Sequence, residues 1–187
     1  MNDIDRIKLE VINNRLKYNE LLELYIRYLK IRQGMMNKIP SYRNDYKYYV
    51  NSRNTNCYAY AFRFDLPDYF DEAFKYFDSI GFYFEPGCFS NIFDINSESK
   101  LLEALYSDLN ILGIKYSDKI DSDYLYKVAV FQEYDFLYDK NGVPDFHFCR
   151  LNNNNLWSCK NGIRGKIEKI NTPVSYTHLT LPTTSRV

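Results

Sequence analysis

Cys57 is the cysteine whose position in the sequence most favours a reactive thiol. It follows Asn54, Thr55 and Asn56, residue types that cap helices, so a helix that begins at Cys57 would hold the thiol in its first turn. Free backbone N–H groups and the helix dipole there favour thiolate over thiol. This placement predicts a nucleophile. The alternative is a small buried cysteine that only packs.

His147 lies in an alternating segment, residues 145–150, that predicts a β-strand. The alternation puts His147 and Cys149 on one face of the strand and two phenylalanines on the other. An imidazole that faces a helix-borne thiol can hold the thiolate as an ion pair and then protonate a leaving amine. Cys57 and His147 are therefore the candidate catalytic pair of an amide hydrolase. A core histidine with satisfied hydrogen bonds is the alternative.

The same residue types raise the question of a metal site. His147 and Cys149 share a strand face, and Cys57, Cys88 or Cys159 could complete a tetrahedron of the kind that binds zinc. The chain has no Cys-x-x-Cys and no His-x-x-x-His pair to support such a site. Neither a metal nor a cofactor is therefore expected, and a zinc-stabilised domain is the least favoured interpretation.

Helices are predicted to come first along the chain. Apolar residues recur at helical spacing from residue 3 to residue 33, which predicts one long helix or two collinear ones capped by Asn2. This face is expected to pack against its own domain, with self-association as a coiled coil the less favoured alternative. Further helices are predicted from 57 to about 64, from 68 to 80, and from a cap at Asn96 or Ser97 to about 112.

A small antiparallel sheet is predicted to follow the helices. Strands are expected at 125–132, 146–151 and 156–160, with a turn at 139–142 and a loop across 152–155. A loop of two or four residues would turn Cys159 away from His147, whereas an odd loop would place the two side by side. The expected fold class is α+β. Its expected organisation is a helical segment at 1–37 before a Cys/His domain at 38–172.

Composition limits the classes of function. The 24 basic residues balance the 24 acidic ones, so there is no positive excess to bind nucleic acid. No run of about 18 apolar residues is present to span a bilayer. The N-terminus is acidic and polar where a secretory signal peptide needs a basic start and an apolar core. We therefore expect a folded protein that is cytoplasmic, or is released without a classical signal peptide.

Residues 174–183 resemble, residue for residue, the translation of a transposase-type sequencing adapter. Pro173 also fits the adapter bases that precede this frame. Residues 173–187 are therefore expected to be derived from the adapter, with the natural sequence cut near Thr172 and its C-terminus missing. On this interpretation His178 is not native, and His147 is the only natural histidine in the chain.

Residues 51–162 together resemble the papain-like Cys/His hydrolases, most closely the compact NlpC-type and CHAP-type amidases of bacterial cell-wall metabolism. Those enzymes place a cysteine at a helix start, a histidine on the second core strand and a polar orienting residue on the third. The resemblance implies Cys57 as nucleophile, His147 as general base and acid, and Ser158 or Cys159 as orienting residue. It also implies a papain-like or NlpC-like core and a thiol hydrolase that acts on peptides, including bacterial cell-wall peptides.

The third strand departs from the pattern that it resembles. Uncharacterised bacterial proteins with Asn-Cys-Tyr-Ala-Tyr-Ala carry a later Trp-Ser-His-Lys, where this chain has Trp-Ser-Cys-Lys at 157–160. Cysteine is a poor hydrogen-bond acceptor for orienting an imidazole, so Asp145 is an alternative orienting residue. The departure at Cys159 favours the second hypothesis, a non-catalytic binding module on the same scaffold.

An oxyanion hole for this chemistry would combine the backbone N–H of Cys57 with a side-chain amide. Asn51 and Asn56 are candidates because they lie close to Cys57 in the sequence. Asparagine side chains in such a loop also cap helices and form turns, which is the alternative role.

Overall fold

The computed structural model describes residues 1–35, 55–77, 82–116, 126–132, 146–163, 165–170 and 179–184. Within these residues the chain is α+β, with its helices ahead of an antiparallel sheet, as predicted. The helices are α1 (Asp3–Asn13), α2 (Tyr18–Met35), α3 (Cys57–Phe62), α4 (Asp68–Lys75) and α5 (Glu98–Leu112). The strands are β1 (Lys115–Tyr116), β2 (Tyr126–Gln132), β3 (Phe146–Leu151), β4 (Trp157–Lys160), β5 (Ile167–Ile170) and β6 (Leu179–Thr184). No described helix has the length and apolar content needed to cross a membrane.

The N-terminal segment forms two helices, which is one of the two predicted alternatives. α1 begins after Asn2, whose side chain accepts a hydrogen bond from the Asp5 N–H at 2.8 Å, as its predicted capping role requires. α1 ends at Asn14, where the backbone becomes extended (φ −117°, ψ 144°). α1 and α2 contact each other and both contact α4. Their buried apolar residues therefore belong to the chain's own core, while self-association through these helices stays a prediction.

Aromatic side chains fill the core between the helices. The ring of Tyr25 is fully buried, and its hydroxyl donates a hydrogen bond to the Asp65 carbonyl at 2.7 Å. Ring centroids at 4.9 to 6.3 Å from that of Tyr25 belong to Phe70, Phe74, Phe82, Phe84 and Phe89. Apolar side chains of β2 and β3 belong to the same core, so helices and sheet are stabilised together.

The ends of α3, α4 and α5 agree with the sequence prediction to different extents. α3 ends before Arg63, which takes a left-handed conformation (φ 59°). α4 ends at Lys75 and is shorter than the predicted 68–80. α5 is capped as predicted, because Ser97 Oγ accepts a hydrogen bond from a first-turn N–H and Gly113 ends the helix at φ 71°.

The strands form one sheet in the order β1-β6-β2-β3-β4-β5, and every described pair is antiparallel. β3 lies between β2 and β4, as the sequence predicts for these three strands. The sequence does not predict β1, β5 or β6. β6 lies in the adapter-like residues 173–187 and pairs with β1 and β2. The described residues of the candidate site lie on or beside α3, β3 and β4, so none of them is on β6.

α3 packs directly against the middle of the sheet. It contacts β3 and β4, and the rings of Tyr58 and Phe62 lie 5.0 and 5.9 Å from the ring of Phe148 on β3. Ala59 and Ala61 are fully buried, and their small side chains allow the helix to approach closely. This packing places the first residue of α3 beside the start of β3.

Candidate active site

Cys57 is the first residue of α3. Asn56 caps the helix, because its Oδ1 accepts a hydrogen bond from the Ala59 N–H at 3.1 Å. The Asn56 amide also donates a hydrogen bond to the carbonyl of Phe84. Asn56 is therefore the N-cap residue of α3, which was one of its two predicted roles. Cys57 itself is only 7% exposed.

His147 is the second residue of β3, and it brings the two halves of the site together. Its imidazole lies close enough to the thiols of Cys57 and Cys159 for both to act on its pKa. Burial lowers the pKa of His147, but the hydrogen bonds with Cys159 and Cys57 outweigh this effect and raise the pKa to about 10. An imidazole with this pKa carries a positive charge at neutral pH and stabilises a thiolate beside it.

The register of β3 and β4 decides which residue of β4 reaches His147. The loop between them spans 152–156, an odd number of residues, and Cys149 pairs directly with Cys159. Because alternate residues share a face, His147 lies on the same face as both cysteines. The histidine nitrogen and the two Sγ atoms all lie within 4.8 Å of one another. The odd-loop alternative is therefore the one that the structure adopts.

The two paired thiols differ in acidity. The hydrogen bond from Cys149 lowers the pKa of Cys159, and His147 acts in the same direction against the effect of burial. That hydrogen bond, together with burial, raises the pKa of Cys149 above its ordinary value. Cys159 also donates a long hydrogen bond to Asn161 Oδ1 at 3.9 Å.

Ser158, the other candidate for orienting His147, hydrogen-bonds to Tyr60 and Asn152 instead. It is fully buried, and its Oγ lies 2.6 Å from the hydroxyl of Tyr60 on α3. It also accepts a hydrogen bond from the Asn152 amide at 2.7 Å. Alternation turns Ser158 to the face opposite Cys159. Ser158 therefore anchors α3 to β4, and Cys159 is the third-strand residue that contacts His147.

Arg150 and Tyr60 are positioning residues that the sequence reasoning missed. Arg150 is fully buried, its guanidinium lies 3.9 Å from the centroid of the Tyr60 ring, and it donates a hydrogen bond to the Tyr60 carbonyl at 3.0 Å. These contacts fix α3 on β3 and so fix Cys57 relative to His147. The alternation of the strand contains a signal for this role. It places His147 on one face of β3 and Arg150 on the opposite face.

Lys160 adds a positive charge that the sequence reasoning also missed. Its side chain is buried, and its Nζ donates hydrogen bonds to the carbonyls of Gly162 and Ile163 at 2.7 and 2.6 Å. Burial lowers the pKa of Lys160 to about 8, while the charge of Cys57 acts in the opposite direction. The ammonium group thus lies within electrostatic range of the Cys57 thiol.

Asp108 on α5 is a buried carboxylate that hydrogen-bonds to Tyr58, the residue after Cys57. It accepts backbone hydrogen bonds from Gly87, Phe89 and Ser90 at 2.7, 3.1 and 2.8 Å. It also accepts one from the hydroxyl of Tyr58, the residue after Cys57, at 3.0 Å. Burial raises the pKa of Asp108 although these hydrogen bonds oppose it. Asp108 therefore ties α5 and the turn at 85–92 to the start of α3.

Three other residues were also predicted at the site or as possible ligands: Asp145, Asn51 and Cys88. Asp145 and Asn51 lie outside the described residues, so their roles stay predictions. Cys88 is buried next to Asp108, 3.9 Å from its Oδ2, and burial is the main reason that its pKa is raised. Cys88 therefore packs beside Asp108 in the turn at 85–92.

A groove described by the structure is lined by other residues. It has a volume of about 540 Å³ and lies between α1, α2 and α4. Its lining side chains include Val11, Leu21, Tyr69 and Ala73. No cysteine or histidine lines it, so the groove offers none of the nucleophilic chemistry found at Cys57.

Comparisons with known proteins assign no family to this chain. No protein-family model, no curated protein and no solved structure matches it significantly. The papain-like or NlpC-like nature of the core therefore stays a prediction. What the geometry offers is a thiol at a helix start, an imidazole within interaction range of it, and a second thiol, Cys159, close to the same imidazole.

Proposed function

We propose that the protein is a thiol hydrolase that cleaves amide bonds, with Cys57 as the nucleophile and His147 as its acid and base. The observation that carries this proposal is the placement of the Cys57 thiol at the start of α3, within interaction range of the His147 imidazole on β3. A thiolate and an imidazolium held together are the reactive form of a cysteine nucleophile.

The proposed reaction has two steps. The Cys57 thiolate attacks the amide carbonyl carbon, the tetrahedral intermediate collapses with cleavage of the C–N bond, and the proton on His147 passes to the leaving amine. The acyl group remains on Cys57 as a thioester. His147 then removes a proton from water, whose oxygen attacks the thioester, and the acid product leaves with regeneration of the ion pair.

The surrounding residues have supporting roles in this proposal. Cys159 interacts with the imidazole and is proposed to orient its ring, which is the role of the polar third-strand residue in the enzymes that the sequence resembles. The backbone N–H of Cys57 is the proposed oxyanion donor. The Asn56 side chain is engaged by the helix cap and by Phe84, which leaves Asn51 as the candidate for the side-chain amide.

Peptides are the proposed substrate class, including bacterial cell-wall peptides, by resemblance to the NlpC-type and CHAP-type amidases. The equal numbers of basic and acidic residues favour no nucleic-acid partner. A cytoplasmic location, or release without a classical signal peptide, belongs to the same proposal.

A second candidate is a non-catalytic binding module on the same scaffold. The observation that favours it is the low exposure of Cys57, 7%, which limits the approach of a substrate carbonyl. The two candidates differ in whether Cys57 carries an acyl group during turnover.

The proposal is tested by hydrolysis of a panel of peptidyl aminomethylcoumarin amides and of purified cell-wall stem peptides. We expect Cys57→Ala and His147→Ala each to lower the rate at least about 100-fold, because each removes a group that takes part in bond cleavage. The matched control is Cys88→Ser, another buried cysteine, which should retain the wild-type rate. Intact-mass analysis of the wild type should show one acyl group, located on Cys57.

Full activity of the Cys57→Ser protein on any substrate of the panel would contradict the proposed mechanism. Failure of a peptidyl chloromethyl ketone to label Cys57, or equal labelling in His147→Ala, would favour the binding module. Because this label reacts with an activated thiol whatever the natural leaving group, it does not depend on guessing the substrate.

A further inference from the structure

We propose that His147, Cys149 and Cys159 form a binding site for one zinc ion. Their ligand atoms all lie within 4.8 Å of one another. In a tetrahedral site with Zn–S near 2.3 Å and Zn–N near 2.0–2.1 Å, the ligand atoms are about 3.5–4 Å apart. The three donors therefore need to close by about 1 Å or less to hold the ion.

The fold supplies these three ligands on a rigid frame. Cys149 and Cys159 are direct partners on adjacent strands, and His147 precedes Cys149 by two residues on the same face. Both thiols are buried, at 1% and 5% exposure, and pack with Ala129 and Trp157. Strand pairing holds the backbone positions before any ion arrives, so little ordering is required on binding.

The donor set selects the metal. Two cysteine sulfurs and one imidazole nitrogen suit zinc, whereas calcium and magnesium need oxygen ligands. Zinc binding would displace the protons of Cys149 and Cys159 and use the neutral form of His147. Two thiolates balance the charge of the ion, and the fourth position of the tetrahedron stays open. The sequence places these three residues among the candidate zinc ligands, but it has no Cys-x-x-Cys turn to support them; a strand pair brings the ligands together instead.

Zinc would compete with Cys57 for the same imidazole. A ring that ligates zinc through the nitrogen now directed at a thiol cannot also hold the Cys57 thiolate and deliver its proton. Zinc is therefore expected to inhibit the hydrolase, and this consequence, unlike the binding itself, rests on the proposed function.

The test is a titration of the reduced, chelator-treated protein with Co²⁺ and then Zn²⁺. We expect one Co²⁺ per chain, with thiolate-to-metal charge-transfer absorption and the strong visible bands of tetrahedral cobalt, both removed by Zn²⁺. Cys149→Ser and Cys159→Ser should each weaken zinc binding at least about 100-fold, beyond the 10- to 100-fold typical of residues that only support a ligand. Cys57→Ser and Cys88→Ser are the matched controls and should bind zinc like the wild type.

A second measurement covers the case in which a variant fails to fold. In the wild-type protein, zinc should protect Cys149 and Cys159 from alkylation without protecting Cys88, and a chelator should reverse the protection. Absence of tetrahedral cobalt absorption, or metal binding that survives both Cys149→Ser and Cys159→Ser, would overturn the zinc site. Zinc binding in a protein whose Cys57 shows no acylation would overturn only the hydrolase.

Discussion

Asp108→Asn is expected to lower the free energy of unfolding by about 3 kcal/mol or more. Both oxygens of Asp108 accept hydrogen bonds in a buried setting: Oδ2 from Gly87 and Tyr58, and Oδ1 from Phe89 and Ser90. An amide replaces one oxygen by a donor, so either the N–H of Gly87 or the N–H groups of Phe89 and Ser90 lose their acceptor, depending on how the side chain turns. Each loss leaves a buried group unsatisfied at a cost of about 1–3 kcal/mol.

Urea denaturation measures this effect directly. Asp94→Asn is the matched control, because Asp94 is exposed and the substitution there should change the free energy of unfolding by less than about 0.5 kcal/mol. If Asp108→Asn were as stable as the control, the bracing role of Asp108 between α5 and α3 would be wrong.

Gly87→Ala, in the turn at 85–92, is expected to lower the free energy of unfolding by about 3 kcal/mol or more. Gly87 has φ +91°, a conformation that residues with a side chain rarely adopt. An added Cβ would also lie 1.9 Å from the backbone oxygen of Ile92. The backbone would have to shift, and the shift would displace the N–H groups that Asp108 accepts.

Gly34→Ala provides the contrast for this prediction. Gly34 lies in α2, and nothing lies within 4 Å of a Cβ added there. Its stability should be unchanged or should rise by up to about 1 kcal/mol, because alanine is the better helix former. Thermal melts of the two variants beside the wild type would decide, and equal melting temperatures for both would contradict the constrained turn.

Local sequence signals predicted the elements that carry the candidate site. The cap residues before Cys57 predicted the start of α3, and alternation around His147 predicted β3. These signals depend only on neighbours in the chain. The register of β3 and β4 depends on loop length, which the asparagines at 152–155 left undecided, and it was this register that brought Cys159 to His147.

Other features depend on contacts between distant segments and could not be predicted in this way. The contacts of Asp108 on α5 are an example. Asp108 left a usable signal: it falls on the same helical face as Leu101, Leu105 and Leu112, where a carboxylate requires buried donors. Those donors are backbone N–H groups of a distant turn, which no local pattern identifies.

The most direct test of the Cys57/His147 pair is the rate of iodoacetamide alkylation of each cysteine, mapped by mass spectrometry at neutral pH with a chelator present. We expect Cys57 to react faster than Cys88, because Cys57 has the His147 imidazolium beside it, whereas burial raises the pKa of the Cys88 thiol. The His147→Ala substitution should slow the alkylation of Cys57 at least about tenfold and leave the alkylation rate of Cys88 unchanged. Slow alkylation of Cys57 at the same rate in His147→Ala would contradict the account and make Cys57 a structural cysteine.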